Sequence, residues 1–372
     1  MKKIAVLVSN DLSHDQRVRK TCEVLLHHGL EPVLVGRLLE GSIDVDRPYE
    51  TVRFPLKHTG GARFYAELQK VLDRFLRSRG NEFAGVWAND LDTLWPAWRF
   101  HKRTGKAIIY DSHEYFTEAA GLTGRPFPKK VWETIEGRIF PRLSHVFTVN
   151  ESIAEIYRKK YKVDVQVLRN VPFLKTQEIE ARSRQELGLP EGRLVILQGA
   201  FMDKDRGIVE AVEAFQHIDD VHLLLVGAGE EWQRAQELRK ELGLEDKITI
   251  KPKLPYEELV QHTRNADLGL SLDKGLHFNY YYSLPNKLFD YIHAGIPVLA
   301  SPLPEVKRVV EGMKVGQLIP DWEPKNIAVA IERMLSIDKQ EWKSGLQEAR
   351  ETFNWDTESQ KIKVMLEQAE LI

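Results

Sequence analysis

The chain has 372 residues, 42% of them apolar and 9% aromatic, a length that accommodates two domains of about 100–200 residues and a composition that argues against intrinsic disorder. Its one cysteine, Cys22, excludes a disulfide framework and a multi-thiolate metal site, and it lies in an apolar helical pattern that reads as packing. Residues 1–170 carry 28 Lys and Arg against 21 Asp and Glu, and residues 171–372 carry 25 against 34, so a basic half precedes an acidic half.

Met1-Lys2-Lys3 and Ile4–Val8 offer too short an apolar stretch for a signal peptide and run into Ser9-Asn10-Asp11. They read as a first strand, and the expected location is the cytoplasm. No apolar run approaches the ~20 residues that span a bilayer. Ser13-His14-Asp15-Gln16 resembles a capping box ahead of a helix from Asp15 to Gly29. Pro32–Val35, Phe83–Ala88, Ala107–Tyr110, Val146–Val149 and Val165–Leu168 read as further buried strands. The pattern restarts after Asn170-Val171-Pro172 with Leu194–Gln198, Val221–Val226, Ile248–Ile250, Leu268–Leu272 and Pro297–Ala300, separated by helices such as Val209–Gln216 and Glu231–Leu242. Strand–helix alternation of this kind gives α/β domains with parallel sheets covered on both faces. The expectation is two doubly wound, Rossmann-like domains divided near residue 171, binding ligands beyond the carboxyl ends of their strands in the cleft they enclose.

The segment from Tyr282 to Ser301 is the richest in chemistry. Ser283 fits a helix cap, Pro285 a first turn, and Gly295 the helix end. Lys287 and Asp290 are three residues apart and share a helix face. A helix start at Ser283–Leu284 with Lys287 beside it suits a diphosphate, and Asp290 can accept hydrogen bonds from the vicinal hydroxyls of a ribose. The plainer alternative is an ordinary helix with a Lys/Asp pair.

At these residues the chain resembles the GT-B glycosyltransferases, specifically glycosyltransferase family 4, which is retaining. The run from Lys287 to Ser301 matches the family's helix that ends in Ala-Gly before a Pro-Val strand. Asp290 stands at the second of the family's two acids, which holds the donor ribose; Tyr282 stands at the first, which helps hold the donor sugar. The resemblance extends along nearly the whole chain. Gly199 and the loop to Ile208 match the loop whose basic residue before Gly, here Arg206, grips the diphosphate. Ala200 stands where a second basic residue is frequent. Gly227 matches a Gly-rich turn lining the donor site, and Lys253-Leu254 a loop whose backbone reads the nucleobase. His113 matches a His that reaches the donor sugar from the first domain. Glu114 and Arg17 are acceptor-side candidates, Arg17 within the stretch His14–Lys20. Asn354-Trp355-Asp356 begins a last helix that returns to the first domain, so the resemblance implies an acceptor-side domain of residues 1–170 plus about 356–372 and a donor domain of residues 171–355.

Three Asp-x-Asp triplets occur, Asp44/Asp46, Asp90/Asp92 and Asp203/Asp205, none in the context a metal-dependent transferase requires, so no metal and no cofactor is expected. The Gly227-Ala228-Gly229 turn lacks the third glycine of a dinucleotide fingerprint. Without zinc-finger spacing or a ribonucleoprotein motif, nucleic acid is not an expected partner. An anionic membrane surface or a phosphate-bearing acceptor is expected for the basic half, the alternative being plain solvated charge. The resemblance implies transfer of a sugar from a nucleotide-sugar donor to a hydroxyl of a glycan or lipid-linked acceptor, with retention. His113, Arg206 and Lys287 would act in catalysis, and Gly199, Gly227, Lys253, Leu254, Ser283, Leu284 and Asp290 in donor binding. Two alternatives stay open: a catalytically degenerate member that binds a nucleotide sugar or a partner glycosyltransferase, and a nucleotide-sugar epimerase.

Overall fold

A computed structural model of the chain describes residues 1–13, 15–174, 180–199 and 202–372. His14, Ala200 and Phe201 lie outside the described residues. The chain divides into two compact units, Met1–Asn170 with Glu358–Ile372, and Val171–Thr357.

In the first unit the strands are β1 (Lys2–Leu7), β2 (Leu30–Leu38), β3 (Glu50–Pro55), β4 (Phe83–Asn89), β5 (Ala107–Ser112), β6 (Val146–Thr148) and β7 (Gln166–Val167). They pair in parallel in the order β3-β2-β1-β4-β5-β6-β7. The helices are α1 (Gln16–His27), α2 (Gly61–Ser78), α3 (Leu91–Thr104), α4 (Pro126–Ile139) and α5 (Glu151–Tyr161). Strands buried on both faces require near-continuous apolar runs, and Ile4 to Val8 and Val33 to Val35 supply them. Asp15 caps α1, its side chain accepting from the Val18 amide, and Asn150 caps α5 in the same way.

In the second unit β8 (Arg193–Gly199), β9 (Val221–Gly227), β10 (Ile248–Pro252), β11 (Leu268–Ser271), β12 (Val298–Ala300) and β13 (Gly316–Leu318) pair in parallel in the order β10-β9-β8-β11-β12-β13. Between and after them come α6 (Ile208–Ala214), α7 (Trp232–Glu241), α8 (Tyr256–Arg264), α9 (Phe278–Tyr281), α10 (Asn286–Ala294), α11 (Pro304–Gly312), α12 (Pro324–Ser336) and α13 (Gln340–Thr352). The last helix, α14 (Trp355–Gln368), begins in the second unit and belongs from Glu358 onward to the first. There the Glu358 carboxylate accepts from the Arg169 amide at 3.0 Å, and Lys361 donates to the Val167 carbonyl at 2.8 Å.

Both units are doubly wound α/β sheets, as the alternating pattern predicts. The strand order reverses between β1 and β4 in one and between β8 and β11 in the other, and the crevice beyond such a reversal is where these sheets bind ligands. Two edge strands, β3 and β13, go beyond the sequence reading. β3 is only partly buried and β13 spans three residues, so neither leaves an apolar run. No helix among the described residues is long and apolar enough to cross a membrane.

Candidate functional site

In the second unit the site grows from the carboxyl ends of β8 and β11. After β8 the chain makes a tight turn through Lys204–Arg206 to Gly207, whose φ of +71° is open to glycine at little cost. A Cβ on Gly207 would also lie 2.4 Å from the Leu272 carbonyl oxygen, so glycine lets the turn pack against the segment leaving β11. That contact brings Arg206 to Asp273. Arg206 Nη1 lies 2.7 Å from Asp273 Oδ1, and Lys287 Nζ, from the first turn of α10, lies 3.0 Å from Oδ2. Ser271 Oγ donates to the same Oδ2 at 3.2 Å. Asp273 is 1% exposed. The Arg206 guanidinium also lies over the Tyr280 ring, 4.3 Å from its centroid.

Burial would raise the Asp273 carboxyl, but Lys287 and Arg206 together hold it below the usual carboxylate range. Burial pulls the Lys287 ammonium down, with Asp273 opposing. Burial pulls Arg206 down too, but Asp273 outweighs that and holds the guanidinium charged. Asp273 is thus the residue that brings the two predicted cations together, and sequence reasoning missed it. It is 67 residues from Arg206, and nothing local marks it.

One turn along α10, Asp290 accepts from Gln198 Nε2 at 3.1 Å and from the Tyr256 hydroxyl at 3.3 Å. Gln198 accepts in turn from Thr263 Oγ1 at 2.7 Å, and these residues line a small cavity with Arg264 and His293. Gly199 and Gly227 sit side by side at the ends of β8 and β9, and a Cβ on Gly227 would lie 2.1 Å from the Gly199 carbonyl oxygen. Lys253 is exposed in the turn after β10, and Leu254 packs partly against the core.

Ser283 is a correction. It does not cap the helix, which starts at Asn286 with Pro285 in the capping position. The Ser283 hydroxyl turns back and donates to the Tyr280 carbonyl at 2.8 Å, where its own amide also bonds at 3.0 Å. Leu284 likewise precedes the helix and packs against the core. The helix-start amides therefore lie two residues later than the sequence pattern places them. Tyr282, at the position of the first acid, stands edge-on to Phe278 and Tyr281, with ring centroids 4.8 and 4.9 Å away.

In the first unit Arg17, His113, Asp111 and Asp90 meet at the ends of β4 and β5. Arg17 is 4% exposed, and its guanidinium spans Asp111 (Nη2 at 2.5 Å, Nε at 3.1 Å) while Nη1 donates to the Leu168 carbonyl at 2.7 Å. Arg17 therefore cross-links α1 to β5 and the exit of β7 instead of presenting an open donor fork. The amide of His113 donates to Asp90 Oδ1 at 2.7 Å, its Nδ1 is 3.6 Å from Asp90 Oδ2, and its Nε2 is 3.4 Å from Asp111 Oδ2 and 3.1 Å from Asn89 Oδ1. Burial would lower the His113 imidazole, but Asp90 and Asp111 outweigh it and raise it to about 9. His113 is thus an imidazolium, a hydrogen-bond donor, at neutral pH. Burial raises Asp90 and pushes Asp92 up to about 7, Asp90 adding to the latter. Asp90 sits at φ +58°, a left-handed conformation uncommon for a non-glycine residue, and residues held this way gather at functional sites. Glu114 is half-buried, its carbonyl accepting from Ser112 Oγ at 2.7 Å.

The basic clusters of this unit are partly neutralised. Lys129 pairs with Glu118, Lys160 with Glu136 and Arg158 with Glu151. On the outward face of α4 Phe127 is 79% exposed, and Lys130, Val131 and Arg138 share its side of the helix, with Arg125 just before it; Lys130 pairs with Glu133 at 3.7 Å.

Residues 180–350 match the family described as glycosyl transferases group 1. A curated relative, the phosphatidyl-myo-inositol mannosyltransferase of Mycobacterium leprae, is 26% identical over 186 residues, covering 48% of this chain and 47% of that protein. The chain thus spans about half the length of this relative. Sucrose-phosphate synthase from Thermosynechococcus elongatus superposes with a TM-score of 0.82 at 20% identity, covering 99% of both chains. Anabaena HepE in complex with UDP-glucose superposes with a TM-score of 0.73 at 15% identity, covering 99% of this chain and 100% of the other. The fold is GT-B.

Proposed function

We propose that this chain, which over residues 180–350 matches the group 1 glycosyl transferases and has a GT-B fold, moves a sugar from a nucleotide-sugar donor to an acceptor hydroxyl with retention of configuration and without a metal ion. The observation that carries the reading is the convergence of Arg206 and Lys287 on Asp273 at the β8/β11 reversal, with the start of α10 alongside and Asp290 one turn on. Negative charge grows on the diphosphate as the glycosidic bond breaks. Two fixed cations and the first amides of α10 answer that charge without reorganising. Asp290 is the ribose acceptor, Gly199 and Gly227 line the donor site, and the backbone at Lys253-Leu254 reads the base.

In the first unit a protonated His113 donates to a substrate hydroxyl, and Glu114 lies on the acceptor side. The HepE complex makes UDP the first nucleotide to try, and the mannosyltransferase relative supports a lipid-linked or other glycan acceptor. The exposed Phe127, with Arg125 and Lys130 close to it in the chain and Arg138 further along the same face of α4, fits peripheral contact with an anionic membrane, an apolar wedge with basic flanks. A second reading, a degenerate member that binds donor without turnover, is favoured by Tyr282 in place of the first acid.

The experiment is release of nucleoside diphosphate from UDP-, GDP- and ADP-sugars with and without lipid-linked acceptors. Acceptor-dependent release that survives chelator, with a product of retained anomeric configuration, is expected. Donor binding without release favours the degenerate reading, and neither binding nor release defeats both.

A further inference from the structure

Asp273 belongs to no motif, yet it is the most buried charge of the donor-side cluster. Each of its oxygens carries a cation: Oδ1 the Arg206 guanidinium at 2.7 Å and Oδ2 the Lys287 ammonium at 3.0 Å, with Ser271 Oγ on Oδ2 as well. Lys287 is nearly as buried, at 8% exposure, and the charged groups facing it are Asp273 and Arg206. An ammonium taken from water beside a guanidinium loses its proton unless an anion compensates.

We infer that Asp273 is a positioning residue of the donor site: it keeps Lys287 protonated and aligned with Arg206 before any nucleotide arrives, so that the diphosphate meets two preformed charges. This rests on the donor site proposed above. The alternative is a purely structural ion pair, and it predicts a different proton balance. With Asp273 in place, binding a diphosphate moves no proton onto Lys287. With the anion removed, burial and Arg206 both favour the neutral amine, and the incoming diphosphate must draw a proton back from solvent. Proton and ligand binding are then linked.

The test is calorimetry of the full chain at pH 8, where a nucleoside diphosphate is fully ionised. Whichever of UDP, GDP or ADP binds best is titrated in buffers of differing ionisation enthalpy. For the wild type the apparent enthalpy should not depend on buffer. Asp273→Asn should take up about one proton per nucleotide bound, and its affinity should fall by up to about tenfold per pH unit above neutrality. Asp273→Glu should restore the wild-type balance. Asp273→Asn/Lys287→Gln should lose the uptake, which assigns the proton to Lys287. Uptake of about one proton by the wild type overturns the inference even if no variant folds, and so does binding by Asp273→Asn with no uptake. A wild type that binds none of the three nucleotides overturns the donor-site reading itself, and the inference with it.

Discussion

Arg17 and Asp111, 94 residues apart, form a two-point ion pair in which the carboxylate is wholly buried and the guanidinium 4% exposed. Such a pair is costly to break from one side, because the surviving charge stays in a low-dielectric site. Arg17→Ala should destabilise the first unit by about 3–5 kcal/mol, measured by urea unfolding. Arg17→Lys should recover only part of this, since an ammonium cannot bridge two oxygens and the Leu168 carbonyl together. Burial would raise the Asp111 carboxyl, but Arg17 and His113 hold it well below the usual range, so its contribution is full above the ordinary carboxylate range and is lost as pH falls below it. A fully stable Arg17→Ala protein would show that the pair is not a structural anchor.

His113 sets a second pH window. Its folded value, about 9, lies above the ordinary 6.5, so its stabilisation is complete below pH 6.5 and disappears as pH rises to 9. At about 1.4 kcal/mol per unit the loss is at most about 3.5 kcal/mol. Thermal midpoints should fall between pH 6.5 and 9 in the wild type and stay nearly level in His113→Gln. Parallel curves would mean that His113 is not held charged by Asp90 and Asp111.

Asp290→Asn keeps the shape of α10 and a carbonyl oxygen toward Gln198 and Tyr256, but removes the charge that the proposed ribose contact uses. Nucleotide affinity should weaken by roughly 1–3 kcal/mol, the size of a hydrogen bond to a charged group. Isothermal titration checks this, and unchanged affinity in a folded variant removes Asp290 from the site.

The α4 face should bind vesicles containing anionic lipid and release them as salt rises, since screening shortens to about 8 Å at physiological ionic strength. Phe127→Ser should weaken co-sedimentation at every salt concentration, whereas Lys130→Gln should mainly flatten the salt dependence. Equal binding to neutral and anionic vesicles would leave the basic flank without a role.

The architecture was legible because buried parallel strands such as Ile4 to Val8 and Leu194–Gln198 are unbroken apolar runs between helical periods. β3 escaped because an edge strand needs no such run. Lys287 and Asp290 could be picked out by spacing along a helix, and Arg206 by the resemblance of its loop. Asp273 could not, since its meaning lies in two partners from other parts of the chain. Ser283 misled because Ser before Pro fits a helix start, whereas its hydroxyl is spent on Tyr280 and Pro285 takes the capping position. Arg17 reads only as an acceptor-side candidate in the sequence, because its partner, Asp111, arrives only when β5 pairs beside β4.

The central claim is that the second unit cradles a nucleoside diphosphate between Arg206, Lys287 and the start of α10. The most direct measurement is the binding and turnover of one donor by the wild type and Arg206→Ala. The wild type should bind one nucleoside diphosphate per chain. Arg206→Ala should transfer sugar about 10²–10³ times more slowly, the cost of losing one preorganised charge-stabilising donor, while binding of the intact donor weakens less because the interaction strengthens as charge develops. Transfer at the wild-type rate by Arg206→Ala, or no binding of any nucleoside diphosphate by the wild type, would contradict the account.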